Sequence, residues 1–294
     1  MRILFCFCCF FMPILGFSFG EDSFSSKMDN DKKIVYLISP PRSLSVGFLR
    51  MIEARGDFKI YHEPSLLPYF NLHGYTFADG WFREGALQSF SEVKTAIFHE
   101  KSNVFVKEMS FHFRDFLDDE IMNNPNVYFI FLLREPHHTI VSFYKKIGSI
   151  VDDFHEAVGY QSTWEIYQKI SDKSSRKPLI IFSEELSSHP EDEVRRFCDY
   201  VKIPFIESSL SWKNLGEDFK GNEEWHEGKM PGLVQHWHGN AIQSTRFETL
   251  RSYETDALGN PTFSEIENQA DRQECERAYR HHLPYYQFFK SKRS

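Results

Sequence analysis

The sequence predicts a three-layer α/β fold with a central parallel sheet of about five strands flanked by helices. From Ile34 onward, short β-branched and aromatic runs alternate with helical patterns, the rhythm of right-handed βαβ units. The run Asn126 to Leu133 is continuously apolar, as expected of a strand buried on both faces. No internal repeat or low-complexity linker divides the 294 residues, and 41% apolar with 16% aromatic content is enough for a full core.

The first strand spans Ile34 to Ile38 and gives way to the loop Ser39-Pro40-Pro41-Arg42-Ser43. A helix follows, because Leu44, Phe48, Met51 and Ile52 repeat at the 3.6-residue period. Phe58 to Tyr61 reads as the second strand, Val104 to Val106 as the third, Asn126 to Leu133 as the fourth and Leu179 to Phe182 as the fifth. Pro190 opens a helix with Val194, Phe197, Cys198 and Val201 on one face, and Pro204 closes it off. A last helix is expected to start at the capping-box pattern Thr262-Phe263-Ser264-Glu265 and to stop before Pro284. The less periodic stretches from Pro64 to Lys101 and from Ser211 to Asn260 are expected to supply loops and lids.

The N-terminus has a different character. Arg2 precedes an apolar run from Ile3 to Phe19, then Gly20 and acidic Glu21-Asp22, the layout of a secretory signal peptide over residues 1–20. An uncleaved anchor is the alternative, and only that would bring a membrane into play. Translation from Met28 would instead give a cytoplasmic protein that runs straight into the first strand, leaving a domain over residues 34–290. Three of the five cysteines lie in the leading segment, so Cys198 and Cys275 define no disulfide framework. The formal net charge of −8 argues against nucleic acid as a partner.

Two constellations carry chemistry. In Pro41-Arg42-Ser43-Leu44-Ser45 a strand turns into a helix N-terminus bearing two hydroxyls and a guanidinium, which together make an anion site. An ordinary N-cap with a solvated arginine would use the same residues. The pattern G-x-x-x-x-G-K-[ST] is absent, which disfavours an ATP or GTP hydrolase. In the second constellation the buried fourth strand delivers Arg134 to its C-terminal end, with Ser142 eight residues on, so that two donors can converge on one phosphate.

These residues resemble the sulfotransferase superfamily, with its P-loop-like fold. There a P-[KR]-S loop after strand one binds the 5′-phosphosulfate of 3′-phosphoadenosine 5′-phosphosulfate (PAPS), and an arginine with a serine eight positions later binds the 3′-phosphate. More closely, the chain resembles bacterial sulfotransferase-like proteins with a G-P-R-N-x-S-T loop, a D-E-P after strand two and a later H-W followed by S-T-x-F. The counterparts are Pro41 to Ser45, His62-Glu63-Pro64, His236-Trp237 and Ser244-Thr245-Arg246-Phe247. The segment Phe182 to Leu186 with Pro190-Glu191 is similar to the superfamily's Y-E-D-L…P-E signature. Leu44 replaces the usual loop glycine, and Ser43 the asparagine.

The resemblance implies a PAPS-dependent sulfotransferase that needs no metal and acts on a hydroxyl or amine of a small-molecule, carbohydrate or protein acceptor. Sulfuryl transfer needs cations over the transferring group, an in-line acceptor and a base. Arg42 and Lys107 are the expected cations, with Lys107 at the end of strand three. Glu63 is the expected base, its pKa raised by Tyr61, Pro64 and Phe70, with Glu108 and His112 in reserve. His236-x-His238 would suit zinc on a strand, but no Cys or carboxylate lies at a matching spacing. His236-Trp237 is expected in a segment closing over donor or acceptor, and Trp164, Tyr167 and Trp225 in the core. The alternatives are an ATP-dependent kinase-like phosphotransferase and a non-catalytic nucleotide-binding protein that keeps the fold.

Overall fold

The computed structural model describes residues 32–75, 81–150, 154–216, 229 and 231–293. The expected export signal and the start at Met28 lie outside the described residues, as does Trp225. None of the described helices is long and apolar enough to cross a membrane.

Five strands, β1 (Ile34–Ser39), β2 (Lys59–His62), β3 (Val104–Met109), β4 (Val127–Leu133) and β5 (Leu179–Phe182), form one parallel sheet in the order β2-β3-β1-β4-β5. Helix α1 (Ser45–Arg55) links β1 to β2. Helices α2 (Leu66–His73) and α3 (Phe90–His99) lead to β3, and α4 (Ser110–Phe116) with α5 (Asp119–Asn123) leads to β4. Helices α6 (Pro136–Ile147), α7 (Phe154–Val158) and α8 (Tyr160–Lys173) precede β5. Then come α9 (Ser183–Ser188), α10 (Pro190–Val201), α11 (Pro231–Gln243) and α12 (Gln269–Lys292).

Side-chain alternation splits the core into two layers. Tyr36, Ile38, Phe129 and Phe131 face one cluster, which receives Phe113 of α4, Ile140 of α6, Ile166 of α8 and Phe289 of α12. Val35, Leu37, Ile130 and Leu132 face the other, against Phe48 and Ile52 of α1 and Val194 and Phe197 of α10. Trp164 and Tyr167 pack against the first cluster, as expected of core residues.

Two elements depart most from expectation, β3 and α12. Strand β3 continues to Met109, because Lys107, Glu108 and Met109 pair in register with Leu37, Ile38 and Ser39 of β1. Helix α12 starts at Gln269, where Asn268 accepts from the amides of Ala270 and Asp271, and it runs through Pro284. The stripe Cys275, Ala278, His282, Tyr286 and Phe289 stays buried along its whole length, so packing outweighs the hydrogen bond that Pro284 cannot make.

Candidate active site

The carboxyl edge of the sheet brings together residues far apart in sequence. Glu63 follows β2, Lys107 lies in β3, the Pro41–Ser45 loop follows β1 and Arg134 follows β4. In the observed strand order these positions are neighbours, and all of them line one cavity of about 600 Å³.

The loop after β1 is held in an unusual backbone state. Arg42 (φ 60°) and Leu44 (φ 65°) are both left-handed and flank Ser43. A non-glycine residue pays roughly 1–2 kcal/mol for this conformation, so Leu44 adopts at a cost what the resemblance expects of glycine. Alternation of this kind turns successive backbone amides toward one side, making a concavity suited to an anion. The loop is tied down from outside: the Ser183 hydroxyl contacts the carbonyls of Ser43 at 2.8 Å and Leu133 at 3.0 Å. Ser183, within the Phe182 to Leu186 signature, thus anchors the loop to the end of β4, a role the sequence did not assign.

Arg42 donates from Nε to Ser142 Oγ at 3.1 Å and from Nη1 to the Trp237 carbonyl at 2.8 Å. Helix α11 therefore meets the loop, and of the pair His236-Trp237 it is Trp237 that lines the cavity, together with His238. Arg134 donates to the carbonyls of Arg42 at 3.3 Å and Arg251 at 2.5 Å, leaving its buried Nε without a protein partner. Burial and the neighbouring Arg134 both pull the Arg42 pKa down. Burial lowers that of Arg134, against Glu184. An anion placed between these guanidiniums would relieve that cost. Arg134 and Ser142 share the cavity, and Ser142 Oγ accepts from Arg42. The Tyr160 hydroxyl, unnoticed in the sequence, donates to the Arg134 carbonyl and fixes the strand end.

Glu63 departs from expectation. It is buried and left-handed (φ 52°), with its amide bonded to the Lys107 carbonyl at 2.7 Å. Its two carboxylate oxygens accept from Lys107 and from Lys229, a residue the sequence did not single out. His62 Nε2 lies 3.6 Å away. Burial pushes the carboxyl upward, but Lys107, Lys229 and His62 outweigh it and hold it well below the ordinary range. The raised pKa expected of this residue is thereby corrected, because two ammoniums stand where apolar neighbours were expected. Nor does Lys107 end its strand. It is fully buried and paired with Leu37 and His62, and burial lowers its pKa despite Glu63.

The reserve pair forms a separate arrangement. Glu108 Oε1 accepts from the Ser65 amide at 3.1 Å, and its Oε2 lies 3.0 Å from His112 Nδ1. Ser65 Oγ is 2.8 Å from the same nitrogen. His112 lines the cavity, and its buried Nε2 has no protein partner. Met109, in the register next to the lysine, also lines it.

His236 and His238 lie on helix α11, not on a strand. The fold supplies what spacing did not show: His238, His62 and Glu63 offer ligand atoms within 4.8 Å of one another, as do Glu135, His137 and His138. In the first group ammoniums already occupy both Glu63 oxygens, and burial with the nearby His62 keeps His238 neutral. That set suits a hydrogen-bonded cluster better than a cation.

The sulfotransferase domain family model matches residues 32–250. The chain belongs to the sulfotransferase domain family. This sulfotransferase domain is similar to two Arabidopsis thaliana proteins. It is 28% identical to branched-chain-amino-acid aminotransferase-like protein 2 over 201 residues, 66% of this chain and 35% of that protein. It is 26% identical to branched-chain-amino-acid aminotransferase-like protein 1 over 190 residues, 62% of this chain and 32% of that protein. The chain thus spans about a third of the length of the curated relatives it matches. The sulfotransferase domain from the curacin biosynthetic pathway shares the fold, with a TM-score of 0.51 at 17% identity over 85% of this chain and 97% of that one.

Proposed function

We propose that the domain binds PAPS and transfers its sulfuryl group to an acceptor hydroxyl or amine. One observation carries the reading: Arg42, Lys107 and Arg134 converge on one cavity beside a loop whose backbone is bent to receive an anion. In this reading Pro41, Arg42, Ser43, Leu44 and Ser45 hold the 5′-phosphosulfate, and Arg134 with Ser142 holds the 3′-phosphate. Arg42 and Lys107 lie over the transferring group and stabilise charge as the bond to the leaving phosphate lengthens. Glu63, ionised, acts at the same centre by fixing the Lys107 and Lys229 ammoniums. All of these roles fall to side chains and backbone amides of this chain, with no resident metal ion called upon. The absent G-x-x-x-x-G-K-[ST] loop and the family match both weigh against the kinase-like alternative.

Arg134 separates donor recognition from general nucleotide binding. Arg134→Ala should weaken binding of 3′-phosphoadenosine 5′-phosphate (PAP) at least thirtyfold, yet change binding of adenosine 5′-phosphate, which lacks the 3′-phosphate, less than threefold. Equal losses for both nucleotides, or none, would contradict the assignment.

A further inference from the structure

The second group of imidazoles and carboxylate lies at the start of α6. Glu135 is the N-cap, Pro136 opens the helix, and His137 and His138 follow in its first turn. The three residues offer ligand atoms within 4.8 Å of one another. None of them lines the cavity that holds Arg42, Lys107 and Arg134.

Neither imidazole is satisfied by the protein. His137 is 1% exposed and its Nε2 has no hydrogen-bond partner, and the same holds for the buried Nδ1 of His138. Buried polar atoms in folded proteins are paired in the large majority, so two orphaned ring nitrogens beside a carboxylate call for a ligand. The surrounding walls are aromatic and hold the rings in place. His137 packs edge-on against Phe263 with ring centroids 4.8 Å apart, and Tyr253 lies 6.1 Å from His137 and 5.8 Å from His138. The two imidazole centroids are 5.2 Å apart.

The charges around the group favour a cation. Glu135 makes no ion pair among the described residues, whereas both oxygens of Glu63 are taken by ammoniums. Glu184 accepts from the Glu135 amide at 2.9 Å through Oε1, and its buried Oε2 is without a partner. The charge of Glu265 acts on both imidazoles, and its buried Oε2 is likewise without a partner. Three carboxylates thus stand against one guanidinium, Arg134, and about half a charge at the helix end. The Glu135 carboxylate accepts from the His138 amide at 3.2 Å and is approached by the Tyr279 hydroxyl, contacts that a coordinating carboxylate keeps. Magnesium and calcium take oxygen ligands, while two imidazoles with a carboxylate suit zinc.

We infer that Glu135, His137 and His138 form a binding site for a divalent metal of zinc's class, held by His137 Nε2, His138 Nδ1 and a carboxylate oxygen of Glu135. Zinc sits about 2.0–2.1 Å from such atoms, which puts tetrahedral neighbours about 3.3 Å apart, so the three close in by up to about 1.5 Å. Glu265 is the group available for the fourth position. His138, only partly buried, gives the ion its way in. The ion takes no part in sulfuryl transfer. It fastens α6, which carries Ser142, to the segment that leads into α12.

The test strips the full chain with EDTA and titrates it with zinc chloride in competition with a chromogenic chelator. One zinc should bind per chain with a Kd of about 1 μM or tighter, and it should raise Tm. His138→Asn, and Glu135→Gln, which keeps the capping oxygen, should each weaken zinc binding at least tenfold while the circular dichroism spectrum stays that of the parent. If one variant does not fold, the other carries the same comparison. Cobalt(II) in place of zinc should give the visible absorption of a four-coordinate site, which His138→Asn should abolish. His238→Asn, in the other cluster, should leave zinc affinity within threefold. Absence of zinc binding at that affinity, a tight site that survives both variants, or one lost only with His238 would overturn the inference.

Discussion

Glu63 concentrates the site's electrostatics in one residue, with a carboxylate oxygen for each of two ammoniums and a backbone angle that L residues rarely adopt. Removing its charge leaves Lys107 and Lys229 buried without their anion, a defect worth about 3–5 kcal/mol in comparable pairs. Glu63→Gln should therefore lose stability of that order in urea unfolding at pH 7. The pH dependence follows from the sign of the shift. The folded pKa lies below the unfolded one, so the carboxylate stabilises fully above the unfolded value of about 4.3 and loses that contribution as the pH falls through the folded value. The gap between parent and Glu63→Gln should shrink on acidification, and a gap that widens below pH 4 would contradict the ion-pair account. At this scale the sequence identified the residues better than their states. Glu63 and Arg134 could be placed at strand ends from pattern alone, whereas Lys107, expected at the end of β3, lies inside it. The ammonium of Lys229 comes from 166 residues further along, and no local signal points to it.

Helix α6 shows how an element's terminus carries its own electrostatics. Glu135 caps it, accepting from the His138 amide at 3.2 Å, while burial and the adjacent Glu184 push its pKa up to about 7. A raised carboxyl is opposite in sign to Glu63: it binds a proton more tightly folded than unfolded, so its contribution falls as the pH rises from the unfolded value toward about 7. Glu135→Gln keeps the capping oxygen and removes the charge. Its stability relative to the parent should therefore improve by about 2 kcal/mol between pH 5 and pH 8 in parallel unfolding curves. On α12, exposed Pro284→Ala restores a donor inside the helix and should add about 1–2 kcal/mol. The helix end was misjudged from sequence because proline is a local signal, whereas the burial of Tyr286 and Phe289 beyond it is a tertiary one. The same limit applies to β3, which two polar residues seemed to close, though its pairing with β1 carries it on to Met109. The strands were legible from short runs of β-branched and aromatic residues, uninterrupted in β1, β4 and β5 and broken by Lys59 in β2. The stretches from Pro64 to Lys101 and from Ser211 to Asn260 contain α2, α3 and α11, whose mixed faces give weak periodicity.

At the scale of the molecule, the sheet order makes a site out of positions dispersed from residue 41 to residue 253, and donor binding should tie them together. A ligand at a hundredfold its Kd stabilises the folded state by about 2.7 kcal/mol. For a chain of this size PAP should then raise Tm by about 5 °C or more. The most direct measurement of the central claim is calorimetric titration of the full chain with PAP and, in parallel, with ATP and magnesium. The account predicts that PAP binds at least a hundredfold more tightly, because only PAP carries the 3′-phosphate assigned to Arg134 and Ser142. Equal or tighter binding of ATP, or a folded protein that binds neither nucleotide, would contradict it.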